Sequence, residues 1–192
     1  MRHLIGAFIA FAALAIFGSA AYADDDASKY AETIKLFQDA GESSGFFKTA
    51  YAYAVFPTIG KAGLGIGGAH GSGKVFLHGK PVGTTKLTQV SFGWQAGAQG
   101  YSLIIFFEDE RAFKEFTSGN FEFGAKASAV AITAGASVGA GTGGSGAGAS
   151  GGKKDAATVG KYSKGVAPFS IIKGGLMYEA VLGGAKFSYK PR

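Results

Sequence analysis

The chain has 192 residues, with 19 Lys and Arg against 13 Asp and Glu, and a formal net charge of +6. It contains no cysteine, which excludes disulfides, thiolate zinc sites, a cysteine nucleophile and a lipid-modified N-terminal cysteine. The modest positive charge suits an anionic partner, and ordinary solubility explains it equally well. The chain has only three arginines, Arg2, Arg111 and Arg192, and no arginine-rich run. We therefore predict no nucleic-acid partner.

The N-terminal segment has the pattern of a cleaved export signal. A basic start at Arg2 precedes an uncharged apolar run, Leu4–Phe17, and the tripeptide Ala21-Tyr22-Ala23 matches an A-x-A cleavage site. The apolar run is short for a membrane span, which needs about 20 residues. We therefore predict a signal peptide over residues 1–23 and one mature domain over residues 24–192, periplasmic or secreted after cleavage near Ala23.

Two helices are predicted at the start of the mature chain. Within Ala27–Ala40, the residues Tyr30, Ile34 and Phe37 share one face at helical spacing, which is typical of a stripe that faces the core. Gly41 is predicted to end this helix. A shorter second helix is predicted from Ser44, as N-cap, to about Tyr51.

After Pro57 the pattern alternates every second residue, as in strands. Lys61–Ala69 and Val75–His78 are predicted to form a hairpin with Gly71–Gly73 as its turn. Gln89–Tyr101 alternates cleanly, and Ser102–Phe107 is almost wholly apolar, as in a strand covered on both faces. These segments indicate a mainly antiparallel sheet.

The remaining chain continues the β pattern around one inserted helix. Glu108–Ser118 is predicted to be a short helix that ends at Gly119, with Phe113 and Phe116 packed inward. One long strand is predicted from the alternating face Phe121, Phe123, Ala125, Ala127 and Ala129. Further strands are predicted at Ala156–Tyr162, Phe169–Lys173, Leu176–Leu182 and Ala185–Tyr189.

The tract Gly139–Gly152 consists almost wholly of Gly, Ala, Ser and Thr. Such a composition buries too little apolar surface to offset the entropy of ordering, so we predict a mobile loop at about 139–152. Self-association through this tract is the alternative. The predicted fold is α+β and mainly antiparallel β, a strongly curved sheet or part-closed barrel with N-terminal helices and one inserted short helix, because glycines within strands mark sharp coiling.

The inventory of reactive side chains does not assemble an active site. The segment Gly68–Lys74 has the GxxxxGK spacing of a phosphate loop, but Val75 stands where Ser or Thr would hold magnesium, and a strand follows instead of a helix. His70 and His78 are too few for a catalytic metal site, which commonly takes three protein ligands. Glu179 is an isolated strand acid whose role is open. We therefore predict no catalytic residue, no metal site, no cofactor and no enzyme activity.

The strongest charge asymmetry lies around a ladder of glycines. No acid occurs between Glu42 and Glu108, and the glycine ladder with the residues just after it carries four lysines and two histidines. Charged side chains and bare backbone N–H groups together could bind a lipid phosphate. The predicted lipid-binding residues are Lys61, Gly63, Gly65, Gly67, His70, Lys74, Lys80 and Lys86. The alternatives are that these lysines protect a sheet edge and that the glycines serve close packing.

Several motifs, in order, resemble those of SYLF domains. They are Ala54–Pro57, Lys61–Gly68, Ser91–Gln99, Phe121–Gly124, and a closing segment with Lys173–Leu176 and Glu179–Gly184. The resemblance spans roughly Ala27 to Tyr189 and implies a phospholipid-binding domain, which in bacteria is often exported. Some bacterial members of the family are lipoproteins, and this chain has no cysteine to which such a lipid anchor could be attached.

The function that we predict is that of a non-enzymatic phospholipid-binding module in the periplasm. Its partner would be an anionic phospholipid or membrane surface, bound through the basic glycine-rich segment. The alternative is a structural or self-assembling envelope protein that uses the Gly/Ala-rich tract. Liposome binding and solution mass distinguish the two hypotheses.

Overall fold

A computed structural model describes residues 26–124, 127–132, 161–174 and 180–192. The first helix, α1, covers residues 26–39, and three shorter helices follow within the described residues. They are α2 (Gly41–Ser44), α3 (Phe46–Thr49) and α4 (Glu110–Thr117). The strands are β1 (Ala52–Leu77), β2 (Lys80–Phe107), β3 (Phe121–Glu122), β4 (Ser128–Ile132), β5 (Val166–Gly174), β6 (Ala180–Val181) and β7 (Lys186–Pro191).

The described strands form a seven-stranded sheet in the order β3-β7-β2-β5-β4-β6, with β1 paired to β2. Every pair is antiparallel except β4 with β5, which run parallel. The sheet curls into a half-barrel with helices at its N-terminal end and α4 inserted after β2. The predicted α+β class and the strongly curved, mainly antiparallel sheet are confirmed.

The turn of the long hairpin is at His78 and Gly79, not at Gly71–Gly73 as predicted. His78 has φ 48° and Gly79 has φ 78°, the positive values that a tight two-residue hairpin turn requires. Strand β1 passes straight through the predicted turn, where Gly71 pairs with Leu87 and Gly73 with Thr85. The prediction was wrong because a cluster of Gly and Ser suits a turn as well as it suits a strand that packs closely against another layer.

Strand β1 folds back so that its second half packs on its first half. A methyl group added at Gly73 would lie 2.7 Å from both the Val55 carbonyl oxygen and the Phe56 ring. One added at Gly71 would lie 2.6 Å from the Ile59 side chain. Real Cβ atoms do not come so close, so only glycine allows the two halves of β1 this separation.

The bend between the halves falls where the β1–β2 ladder is interrupted. Leu64 pairs with Ala96 and Ile66 with Phe92, so more residues separate the pairs on β2 than on β1. Such irregularities increase the local coiling of a strand pair. The bend therefore turns one long hairpin into two stacked layers of sheet.

Two apolar clusters fill the fold. The first lies between the layers and includes Phe56, Ile59, Leu103, Phe116 and Phe187. The second lies under α1, whose predicted stripe faces it: Tyr30 and Phe37 are buried and Ile34 is partly buried. The prediction that this stripe faces the core is confirmed.

Helix α4 begins and ends as local rules suggest. The Asp109 carboxylate accepts a hydrogen bond of 2.8 Å from the Ala112 amide, which makes it the N-cap. Gly119, just past the end, has φ 85°, the left-handed conformation that favours glycine. Phe116 is fully buried and Phe113 packs against the interlayer cluster, so the prediction for this helix is confirmed.

Three local predictions were wrong at their boundaries. Gly41 begins α2 instead of ending α1, because Ala40 takes an extended conformation (ψ 120°) and interrupts the helix first. Ser44 caps nothing; its hydroxyl donates backwards to the Gly41 carbonyl at 3.2 Å. The long strand predicted from Phe121 is broken, because residues 123, 124 and 127, between β3 and β4, are not in a strand. The Ala127 amide donates instead to the Gly124 carbonyl.

Several predictions fall outside the described residues and stay predictions. They concern the signal peptide at 1–23, the Gly-rich tract at 139–152, and Glu179. Most of the predicted strand Ala156–Tyr162 also lies there, and its last two residues, 161 and 162, are not in a strand.

Candidate functional site: a cationic cleft at the bend

A cleft of about 690 Å³ opens beside the bend, between the two layers of sheet. One wall comes from β1 before the bend and from β2 after it, and the opposite wall comes from the parts of β1 and β2 near the hairpin turn. The residues along the cleft are Gly60, Lys61, Ala62, Gly68, Ala69, His70, Thr88, Gln89, Ala98, Gly100 and Lys173. None of these described residues is an aspartate or a glutamate, so the cleft is cationic.

Lys61 is the most unusual side chain in this cleft. Its position in the strand directs it inward, as for Ile59, and only 8% of its surface is exposed. No described residue forms a hydrogen bond or ion pair with it, and burial alone lowers the pKa of its ammonium. A buried cation without an anionic partner costs stability, and a bound anion would offset that cost.

Two further basic side chains line the same cleft. Lys173, near the end of β5, is exposed and donates a hydrogen bond of 3.2 Å to the Thr58 hydroxyl. His70 is exposed on the second half of β1. With Lys61 they surround the opening with two lysines and an imidazole, which suits a phosphate or carboxylate group.

Gln89 forms part of the interior wall of the cleft. It is 3% exposed, and its amide donates a hydrogen bond of 2.8 Å to the Gly183 carbonyl. This bond ties β2 to the chain just before β7, so the wall opposite Lys61 is held in place. The cleft is thus a feature of the folded sheet and not of a surface loop.

The other predicted lysines lie away from the cleft. Lys74 forms an ion pair of 2.6 Å with Asp26 and lies 4.2 Å from the centre of the Tyr30 ring. Lys80 starts β2 beside the hairpin turn, and Lys86 is exposed on the outer face opposite Ser188. The structure therefore brings Lys61 and His70 together and separates them from Lys74, Lys80 and Lys86.

The predicted glycine ligands lie in the bend itself. A methyl group added at Gly63 would overlap the backbone of Gly67 and lie 2.8 Å from the Ile66 carbonyl oxygen. Gly63 and Gly67 are thus in mutual contact, and close packing accounts for both. The backbone of Gly65 lies between them in β1.

A second groove, of about 640 Å³, runs between α1 and the outer face of the sheet. It is lined by Tyr30, Ile34, Phe76 and Pro81, with Lys74, Lys190 and Arg192 at its edges. The Tyr30 hydroxyl donates to the Ser72 carbonyl at 3.4 Å across it. Its main described cation, Lys74, is already paired, so this groove is the weaker candidate for an anion.

Within the described residues nothing resembles an active site or a metal centre. No group of three or more His, Cys, Asp and Glu residues there could hold a metal ion. His78 lies at the hairpin turn, where its ring meets the Tyr51 ring at 5.2 Å between centres, away from His70 in the cleft. In the same part of the chain, no helix is both long and apolar enough to cross a bilayer.

Sequence reasoning missed Lys173 and Gln89 as members of the site. Gln89 was assigned only to a strand, and Lys173 only to a strand and to a family motif, because nothing local links either residue to Lys61. Lys173 reaches the cleft through the pairing of β5 with β2, in which Gly100 meets Gly174. The available signal was the basic residue next to a glycine pair, Lys173-Gly174-Gly175.

The fold and the cleft together define a class: a curled, mainly antiparallel β domain with N-terminal helices and a cationic cleft. Comparison with known proteins gives the family. Residues 88–185, about half of the chain, match the family Ysc84, described as Las17-binding protein actin regulator. The chain belongs to this Ysc84/SYLF domain family, as its motifs predicted. The family is associated with lipid binding and is generally non-catalytic.

A curated bacterial relative extends the similarity beyond the family segment. Beta cell expansion factor A from Aeromonas veronii is 28% identical over 156 residues, which cover 80% of this chain and 51% of that protein. The chain thus spans about half the length of this relative. The family match includes Lys173 and Gln89, whereas Lys61 and His70 lie before its first residue.

Proposed function

We propose that this protein is a non-enzymatic module that binds an anionic phospholipid headgroup in the cleft at the bend. The observation that carries the proposal is the side chain of Lys61, which is 8% exposed and has no described partner in a cleft without described acids. A lipid phosphate would pair with Lys61, and Lys173 and His70 would contact its outer oxygens. The lipid association of the SYLF family supports the choice of a lipid phosphate over other anions.

This proposal narrows the binding residues predicted from the sequence. Lys61, His70 and Lys173 bind the headgroup, and Lys74 stabilises the fold through Asp26 and Tyr30. Lys80 and Lys86 contribute long-range attraction, which falls off within about 10 Å at 0.1 M salt. Gly63 and Gly67 shape the bend and do not contact the headgroup.

We also propose that the protein works in the periplasm after cleavage near Ala23. The support is the sequence: an apolar run without charge, followed by Ala21-Tyr22-Ala23. Intact mass of the protein recovered from a periplasmic extract is expected to correspond to a chain that starts at Asp24. A full-length mass, or recovery in the cytoplasmic fraction alone, would reject this proposal.

Flotation with lipid vesicles tests the headgroup proposal. The wild-type protein should float with vesicles that contain 30% phosphatidylglycerol and much less with pure phosphatidylcholine. Lys61→Ala should reduce binding to the anionic vesicles by about tenfold, and Lys173→Ala by a smaller factor, since a contact with a charged group is worth roughly 1.5–3 kcal/mol.

Lys86→Ala is the matched control, because it removes the same charge from an exposed strand position outside the cleft. It should reduce binding by less than about twofold. Equal flotation on neutral and anionic vesicles, or equal effects of Lys61→Ala and Lys86→Ala, would reject the cleft as the headgroup site.

A further inference from the structure

Two of the described side chains at the bend are aliphatic and exposed. Ile66 is 65% exposed and Val90 is 61% exposed. Among the described side chains, Leu36 on α1 is the other large apolar residue with comparable exposure, at 50%. Two of these three residues therefore lie at the bend of the hairpin, while most other large apolar side chains described are buried between the layers and under α1.

The strand register places Ile66 and Val90 on the same face. Ile66 pairs with Phe92 and Gly68 pairs with Val90, so the two residues are diagonal neighbours on the outer side of the sheet. Side chains in such positions lie within reach of one another. The intervening Gly68 has no side chain that would separate them, so they form one apolar patch, which we call the bend patch.

The bend patch borders the opening of the cationic cleft. Gly68 belongs to both, and Val90 follows the cleft residue Gln89 directly. Lys61, His70 and Lys173 are the basic residues of the cleft that shares Gly68 with the patch. Among the described residues that line the cleft there are cations and no acid. An apolar patch beside a cationic cleft matches the chemistry of an anionic bilayer, in which acyl chains lie beneath negative headgroups.

We propose that the bend docks on the surface of an anionic lipid bilayer, with Ile66 and Val90 inserted among the acyl chains nearest the headgroups. In this orientation the cleft opens towards the membrane and Lys61 lies at the depth of the lipid phosphates. The inference rests on the proposed function for its lipid, and it adds the surface and the orientation of docking. Two aliphatic side chains are too small an area for a stable protein interface, which buries roughly 800 Å² on each partner, whereas insertion into lipid requires only apolar contact.

Environment-sensitive labels test this orientation directly. The chain has no cysteine, so Ile66→Cys and Val90→Cys each provide a single site for a nitrobenzoxadiazole fluorophore. Ser188→Cys, on an exposed position of β7, is the matched control. On adding vesicles with 30% phosphatidylglycerol, the labels at 66 and 90 should brighten about two- to fivefold with a blue shift, and the label at 188 should not change.

The outcomes separate this inference from the proposed function. If the protein floats with anionic vesicles while the labels at 66 and 90 stay unchanged, or if the label at 188 responds equally, the docking orientation is wrong and the headgroup proposal stands. If the labels respond but Lys61→Ala has no effect on flotation, the bend docks and the cleft is not the headgroup site.

Self-association is the competing explanation for the patch, and the same labels detect it. Brightening that depends on protein concentration without vesicles would assign the bend patch to a second copy of the chain and overturn the inference. The double variant Ile66→Asp/Val90→Asp provides a check without labels. The fraction of this variant that floats with anionic vesicles should be about tenfold lower than for the wild type, while its circular dichroism spectrum stays that of the wild type. Retained flotation of this folded variant would also overturn the inference.

Discussion

The ammonium group of Lys74 lies 2.6 Å from a carboxylate oxygen of Asp26 and so joins the second half of β1 to the start of α1. The same ammonium lies 4.2 Å from the centre of the Tyr30 ring. One basic residue of the glycine-rich segment is thus engaged within the fold, and its removal should affect stability more than lipid binding.

Replacing Lys74 by alanine should lower the free energy of unfolding by about 0.5–1.5 kcal/mol. The ion pair is partly exposed and contributes little by itself, and the contact with the Tyr30 ring adds to it. Urea unfolding of Lys74→Ala and of the exposed control Lys80→Ala measures the difference. Unchanged stability together with a tenfold loss of lipid binding would show instead that Lys74 contacts the headgroup.

Replacing Gly73 by alanine should destabilise the protein by about 1–3 kcal/mol. The added methyl would meet the Phe56 ring and the Val55 carbonyl oxygen at 2.7 Å, and overpacking of this kind forces the layers apart. Gly60→Ala is the control in the same strand, because nothing lies within 4 Å of its added methyl. Equal thermal stability of the two variants would contradict the close packing of the halves of β1.

Replacing Lys61 by methionine should stabilise the lipid-free protein by up to about 1 kcal/mol and still reduce binding to anionic vesicles. Burial lowers the pKa of the Lys61 ammonium, which shows that the charged form is disfavoured in the fold, and methionine keeps most of the volume without the charge. Urea unfolding and flotation of the same preparation provide the two measurements. A less stable variant would indicate that Lys61 has a structural partner.

The buried Tyr101 and the partly buried Tyr189 should respond differently to loss of their hydroxyl groups. The hydroxyl of Tyr101 has no hydrogen-bond partner among the described residues, whereas that of Tyr189 donates to the Val82 carbonyl at 3.1 Å. Tyr101→Phe should therefore be neutral or stabilising, and Tyr189→Phe should cost about 1 kcal/mol. Chemical unfolding at pH 7 compares them; a larger loss for Tyr101→Phe would reveal a missed partner.

The stability of the protein should fall as the pH rises from 10 to 12. Burial raises the pKa of Tyr101 from 10.0 to about 12, so above pH 10 the unfolded chain loses the phenolic proton while the folded chain keeps it. Burial and the nearby Asp26 raise the pKa of Tyr30 similarly, to about 12. Unfolding free energies at pH 9 and pH 11 should differ less in Tyr101→Phe than in the wild type; an equal difference would remove Tyr101 from the effect.

The structural elements that depend on residues close together along the chain could be predicted from the sequence. The stripe of Tyr30 and Phe37 and the stop at Gly119 follow from helical spacing and from the conformational freedom of glycine. The hairpin turn could not be placed, because Gly71–Gly73 satisfies the local rules for a turn as well as His78-Gly79 does. What distinguishes them is the contact of Gly73 with Phe56, which is a property of the folded layers.

The candidate site, too, has features that the sequence predicted and features that only the folded structure revealed. The sequence by itself determined that the basic residues and the glycines share one acid-free interval, and its spaced motifs determined the family, because both are patterns along the chain. Only the tertiary structure decided that Lys61 is buried without a partner among the described residues, and that Lys74 is paired. It alone also decided that Lys173 joins the site through β5, as its hydrogen bond to Thr58 across 115 residues shows. The physical reason is that burial and charge pairing depend on which layers come together, and the bend in β1 and β2 brings these layers together.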